Sequence, residues 1–319
     1  MPYGKIKMLM NNAYKNPTLR NATCPACGLL CDDIAVSTSP ELSVKNACSK
    51  GIAFFKRADT DSETFTPRLN GKPCDMQTAI NKAVEILSGS ANPLIAGLGT
   101  EVQGARSLLK LAQHIDATLD HMHGESGMRN TRVLQNSGWI TTTLAEVKNR
   151  ADLILSIGTD ISSTHPRFFE RLTESSNSLF RTQAPEVIYL GAEKLDPEKS
   201  DASKDSTLST ENRHKLPEIL NALNAILLGK KLTNTDIGGV AYNTLLVLAE
   251  KLKNAKYAVI VWSASALNIP HAELLIQGIT QLIAKLMKPP VPPGCPSIAA
   301  MVTLLCSMRA LGFAVIPHA

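Results

Sequence analysis

The sequence predicts an α/β protein: a small cysteine-rich module followed by a doubly wound, mostly parallel sheet of Rossmann-like type. Three observations predict it. Apolar runs ending in glycine or a small polar residue recur four times and alternate with amphipathic stretches, which is the grammar of a parallel sheet. Four of the seven cysteines, Cys24, Cys27, Cys31 and Cys48, cluster near the amino end. Apolar residues make up 44% of the 319 and charged residues 19%, a balance that supports a buried core and excludes wholesale disorder.

The turn-rich stretch 1–71 carries the clustered cysteines and reads as a module held together by a ligand. A boundary is expected near Lys72. The region 72–286 opens with Met76 to Leu87, whose apolar spacing of three and four predicts a helix. Pro93 to Gly99 reads as a buried strand and Val102 to His114 as the helix after it. Ala151 to Gly158, Glu186 to Gly191 and Tyr257 to Ser265 read as further strands, the last followed by a helix from His271 to Leu286. Residues 193–214 are polar and predict a solvated loop; Pro217 to Leu228 and Val240 to Leu252 predict helices.

Doubly wound sheets bind ligands outside the carboxyl ends of their strands. That rule gathers Gly97, Gly99, Gly158, Thr159, Gly191 and Ser263 around one crevice, although each glycine taken singly is equally an ordinary turn.

The region 287–319 differs from the rest: it has no Asp or Glu, and it holds six of the 18 prolines beside apolar patches that lack a periodic polar face. It reads as a truncated or frame-shifted end. Net charge is only +5, from 33 basic and 28 acidic residues, too weak and scattered for a nucleic-acid footprint. Neither a membrane span nor an export signal is visible, so a cytoplasmic setting is expected. There thiols stay reduced, and clustered cysteines are metal ligands rather than disulfides.

The spacing Cys24-x2-Cys27-x3-Cys31-x16-Cys48 crowds three thiols on one loop, which suits three corners of a [4Fe–4S] cubane better than the paired knuckles of zinc. Zinc and an empty, vestigial site are the alternatives. Cys74, Cys295 and Cys306 stand apart. Ligands at His121, His123 and Glu125 would converge only in an extended segment, so these residues and His114 read as ordinary polar side chains.

CPACGLLCDDI and ACSKG resemble the amino-terminal iron–sulfur module of the molybdopterin and tungstopterin oxidoreductases, the formate dehydrogenase superfamily. The resemblance implies a fold of that type and makes Lys50 an electron relay between cluster and pterin; otherwise Lys50 is a surface lysine. Leu144 to Gly158, with its EVKNRAD, and Thr164-His165-Pro166-Arg167 then resemble the B subunit of formylmethanofuran dehydrogenase, the likeness running from about residue 20 to 285. In that family a cysteine or selenocysteine beside a histidine ligates molybdenum or tungsten. The matching stretch here is His121-Met122-His123-Gly124-Glu125-Ser126. Met122 replaces the metal-binding cysteine, and a neutral thioether is a poor ligand for a high-valent metal.

Redox catalysis is therefore expected to be lost, His123 to be structural, and molybdopterin or tungstopterin to be absent. The pattern is similar to the B subunit of the bacterial formyltransferase/hydrolase complex. That likeness implies sister A, C and D subunits, a methanofuran-type cofactor in the complex, and a place in tetrahydromethanopterin-linked oxidation of formaldehyde to formate. The A subunit would hydrolyse, the D subunit transfer the formyl group, and this chain provide scaffold. The alternatives are a free-standing α/β protein with a zinc staple and an active molybdenum or tungsten dehydrogenase subunit.

Overall fold

The computed structural model describes residues 18–38, 41–60, 66–174, 178–191, 206–208, 212–286 and 311–317. Two compact units divide the chain, residues 1–122 and 123–319. The boundary expected near Lys72 falls inside the first.

In the first unit, β1 (Thr18–Ala22), β2 (Ile34–Ser37) and β3 (Ser43–Lys45) form an antiparallel sheet, and α1 (Ser49–Thr60) follows. The two-residue strands β4 (Arg68–Leu69) and β5 (Lys72–Pro73) pair antiparallel across Asn70 and Gly71. Both turn residues have positive φ, 50° and 80°, as a tight Asn-Gly hairpin requires. Then comes α2 (Met76–Ser88), capped by the Asp75 carboxylate, which accepts the Thr78 N–H at 3.0 Å. The remaining elements are β6 (Leu94–Ile95), α3 (Val102–Ile115) and β7 (Thr118–Leu119).

The second unit begins with α4 (Gly124–Ser137) and α5 (Leu144–Arg150), where the Thr143 hydroxyl accepts the Glu146 N–H. β8 (Leu153–Ile157), the short helices α6 (Ile161–Thr164) and α7 (Phe168–Leu172), β9 (Glu186–Leu190) and β10 (Ser206–Leu208) follow. Next are a 3-10 turn at Arg213–Lys215, α8 (Leu216–Leu227), the pair β11 (Asp236–Ile237) and β12 (Val240–Ala241), and α9 (Tyr242–Asn254). The chain closes with β13 (Tyr257–Ser263), α10 (Ala272–Leu286) and β14 (Leu311–Pro317).

The main sheet has the order β10-β9-β8-β13-β14. Its first four strands are parallel, and the order reverses between β8 and β13. β8 is buried throughout, and β9 and β13 are buried after their first residue, which is why they read as continuous apolar runs rather than alternating ones. Leu153, Leu155, Ile188, Leu190, Ile260 and Trp262 share one core with the inner faces of α8, α9 and α10. Trp262 meets Trp139 edge-to-face at 5.5 Å, and its Nε1 donates to Asn130 Oδ1 at 3.1 Å.

Two expectations are corrected. β6 does not join the main sheet; it pairs in parallel with β7 alone. The stretch expected to be wholly loop contributes β10, which gains its order by pairing with β9. Within the tail, Leu311–Pro317 forms an antiparallel strand against the outer edge of β13, because the uncharged GFAVI run satisfies backbone groups an edge strand would leave open. Residues 287–310 of that tail lie outside the described residues.

At the start of β13, burial pushes the Tyr257 phenol above its ordinary value, while a 2.9 Å hydrogen bond to the Thr142 hydroxyl pulls the other way. The folded value exceeds the unfolded value of about 10. The stability this phenol contributes is therefore complete below that pH and lost as pH rises through the folded value. Ultraviolet titration should show a late-ionising step that moves later still in Thr142→Val and loses one tyrosine's amplitude in Tyr257→Phe. An unchanged late amplitude in Tyr257→Phe would refute the assignment.

Candidate functional site

The first three cysteines share one tight loop, in which the Cys24 N–H donates to the Cys31 carbonyl at 2.7 Å and the Leu30 N–H to the Cys27 carbonyl at 3.3 Å. Cys48 directly precedes α1, whose Ile52 N–H bonds its carbonyl at 2.9 Å. Gly51 lets this helix approach the loop, since a Cβ there would stand 3.2 Å from the Cys24 Sγ. Cys24 and Cys31 are buried beside Ile34, with Leu29, Val36 and Phe55 packed around them.

Burial pushes the Cys27 thiol up; the neighbouring Cys48 and Cys24 push it further, and Lys50 opposes them. Desolvation thus favours the neutral thiol in the metal-free chain. Among the described residues no three His, Cys, Asp or Glu side chains stand where they could hold a metal ion. The four cysteines are gathered into one module, Cys24 and Cys31 buried in its small core and Cys27 and Cys48 half-buried.

Gly97 and Gly99 follow β6 and are exposed. Gly97 has φ +89° with open space where a Cβ would be, and its carbonyl accepts the Met122 N–H at 3.4 Å. The Met122 side chain is 61% exposed. In the other unit, His123 caps α4 through its backbone, its carbonyl taking the Gly127 N–H at 2.8 Å and the Ser126 hydroxyl at 3.1 Å.

Gly158, Thr159 and Gly191 do meet at the carboxyl ends of β8 and β9, but the space before them is filled. Both glycines have positive φ, and a Cβ on either would collide with Leu216: its Cδ1 lies 3.0 Å from the Gly158 position and its Cδ2 2.5 Å from the Gly191 position. Leu267 stands 2.6 Å from the Gly158 position as well. Leu216 and Leu267 are wholly buried. These glycines serve close packing, the role a sequence cannot tell from a phosphate cradle.

Thr159 is also spent internally, donating from its hydroxyl to the Ile157 carbonyl and accepting the Ser263 N–H at 2.9 Å. The Asp160 carboxylate takes the Ser162 and Ser163 N–H groups that open α6, so a negative charge already occupies the place where a phosphate would bind in such a fold. The residues expected around one crevice do not share one sheet: Gly97 and Gly99 follow β6, outside the main sheet, and apolar side chains close the carboxyl ends of β8 and β9.

His165 and Arg167 of the HPR stretch are buried, at 3% and 8% exposure, and Arg167 pairs with Glu170. Sequence reasoning missed Asp160, whose Asp-x-Ser-Ser context is a readable cap signal. It also missed Arg129, for which a lone arginine in a weak helix gives no signal.

No family model matches the sequence. The B subunit of the tungsten-containing formylmethanofuran dehydrogenase 2 of Methanocaldococcus jannaschii is 30% identical over 250 residues, 75% of this chain and 57% of that protein. Its counterpart in Methanococcus maripaludis is 29% identical over 249 residues, with the same shares. The B subunit of the formyltransferase/hydrolase complex Fhc of Methylorubrum extorquens is 36% identical over 90 residues, 28% of this chain and 25% of that protein.

The crystal structure of the formyltransferase/hydrolase complex FhcABCD from M. extorquens, in complex with methylofuran, matches with a TM-score of 0.53 at 25% identity, covering 67% of this chain and 55% of that one. The resemblance read from the motifs is borne out. The chain spans only 57% of the length of the first two relatives. Among the described residues no helix is long and apolar enough to cross a membrane.

Proposed function

We propose that the chain is a member of the formylmethanofuran dehydrogenase B-subunit family, and specifically the non-redox B subunit of a formyltransferase/hydrolase complex. In this reading the complex is cytoplasmic, uses a methanofuran-type cofactor, and releases formate in tetrahydromethanopterin-linked one-carbon oxidation. This chain supplies scaffold to its sister A, C and D subunits.

The observation that carries the reading is Met122, a neutral and exposed thioether where the family's catalytic members place a metal-binding thiolate or selenolate. The apolar packing of Leu216 and Leu267 against the carboxyl ends of β8 and β9 supports it. Exposed apolar residues along α2, namely Met76, Ile80, Val84 and Ile86, support burial against partners.

The second reading, an active tungsten or molybdenum dehydrogenase subunit, is favoured by the names of the two longer-matching relatives. Iron, molybdenum, tungsten and zinc contents of the copurified complex separate the readings. Tungsten or molybdenum below about a tenth of an atom per chain is expected; a stoichiometric amount would overturn the non-redox reading. Four irons per chain would assign a [4Fe–4S] group to Cys24, Cys27, Cys31 and Cys48, whereas zinc alone would favour a structural staple.

A further inference from the structure

We infer that the amino-terminal edge of the main sheet, around Leu179 and Phe180, docks an acidic, apolar-pocketed face of a sister subunit. The inference rests on the reading of the chain as part of a larger complex, to which it adds where the chain is held. Leu179 and Phe180 are the two most exposed large apolar side chains among the described residues, at 78% and 71%.

They are not on a slack loop. The Leu179 N–H donates to Asn149 Oδ1 at 2.9 Å, the Ser178 hydroxyl to the Asn149 carbonyl, and the Arg181 N–H to the Ser178 hydroxyl. The Arg181 guanidinium donates to four carbonyls, of Thr173, Gln183, Lys148 and Leu172, at 2.8–3.1 Å. A tip pinned this firmly holds two apolar groups in water, so little ordering cost is left for binding; such preorganised aromatic anchors dominate protein interfaces.

Charge decides what kind of partner fits. Beside the tip lies an open hollow of about 490 Å³, lined by Arg150, Arg181 and Lys256 against one carboxylate, Asp152. That carboxylate is already taken up by the backbone N–H groups of Lys256 and Tyr257, at 2.7 and 2.9 Å. Among the described residues the Arg181 guanidinium meets only neutral carbonyls, and its buried Nε–H has no acceptor. Arg150 pairs through its Nε with Glu146 of its own helix at 3.0 Å, yet about half of its side chain stays exposed. Its guanidinium lies 5.9 Å from the Phe180 ring centre, placing a cation over the anchor itself.

Asp152 also walls a second hollow of about 510 Å³, floored by Leu246 and Val247, whose other carboxylates, Glu186 and Glu250, are already paired with Lys251 and Lys253. A partner that offers carboxylates around an apolar recess complements this surface. A second copy of this chain does not, because a two-fold contact would set the same cations against each other. Neither hollow lies at the carboxyl ends, where a cofactor would bind.

The test titrates the full chain into the remaining subunits of the purified complex. Leu179→Ser with Phe180→Ser is expected to weaken binding by about 30-fold or more, mostly through faster dissociation, while the melting temperature of the free chain stays unchanged. Lys256→Glu is expected to slow association and flatten its dependence on salt. Wild-type assembly with both variants binding within about two-fold would overturn this surface and leave the proposed function standing. Failure of the wild-type chain to bind any sister subunit would overturn both. A wild-type dimer that the double variant dissolves would overturn it in favour of self-association.

Discussion

Leu216→Ala is expected to destabilise the second unit by about 2–5 kcal/mol, the range for emptying a fully buried leucine site, enough to unfold a marginal domain at physiological temperature. Leu216 is wholly buried and fills the space before both Gly158 and Gly191, so its loss opens a void under two strand ends at once. Gly191→Ala alone should also be costly, because φ is +68° and the new Cβ would lie 2.5 Å from the Leu216 Cδ2.

The two changes together should cost less than their sum, since the truncated leucine makes room for the new methyl group. A double-mutant cycle from urea midpoints reads this as a coupling of about 1 kcal/mol. Strict additivity would show that Leu216 does not close the strand ends.

Arg129→Met should cost about 2–4 kcal/mol, chiefly by stranding acceptors that the guanidinium now satisfies. Arg129 is 8% exposed; it donates to the Ala264 carbonyl at 2.8 Å, the Leu267 carbonyl at 3.2 Å and Asn268 Oδ1 at 3.0 Å. Its ion pair with Glu125 contributes little, because that carboxylate is 83% exposed. Glu125→Gln should therefore change stability by less than about 1 kcal/mol. The turn that Arg129 grips carries Leu267, the other side chain closing off Gly158, so the cost of Arg129→Met should shrink in a Leu267→Ala background. Equal effects of Glu125→Gln and Arg129→Met in denaturant melts would contradict this division.

The core strands were legible because strands buried on both faces leave an unbroken apolar run: DLILSI and YAVIVW could be little else. PLIAGLG reads the same way, yet β6 is two residues long and Leu94 is 64% exposed. Which sheet a strand joins is decided by tertiary pairing that no local window contains. β10 shows the converse, a polar segment ordered only by its neighbour.

The candidate site was half legible. The glycines at 158 and 191 were placed correctly at strand ends, but cradle and close-packing roles demand the same residue, and Leu216 lies in a distant segment. α4 gave no warning at all, since GESGMRNTRVLQNS is a poor helix by propensity; its order comes from burying Arg129, Asn130 and Val133. The cysteine spacing located a module and left its content undecided, because metal ligation and sulfur packing use the same four positions.

The edge-to-face pair of Trp139 and Trp262 has an optical consequence. These are the chain's two tryptophans, and both belong to the unit 123–319. Their near-ultraviolet emission therefore watches that unit and is blind to the cysteine-bearing one, whereas far-ultraviolet dichroism sees the helices of both. Divergence between the two melting curves would measure how independently the halves of the chain come apart.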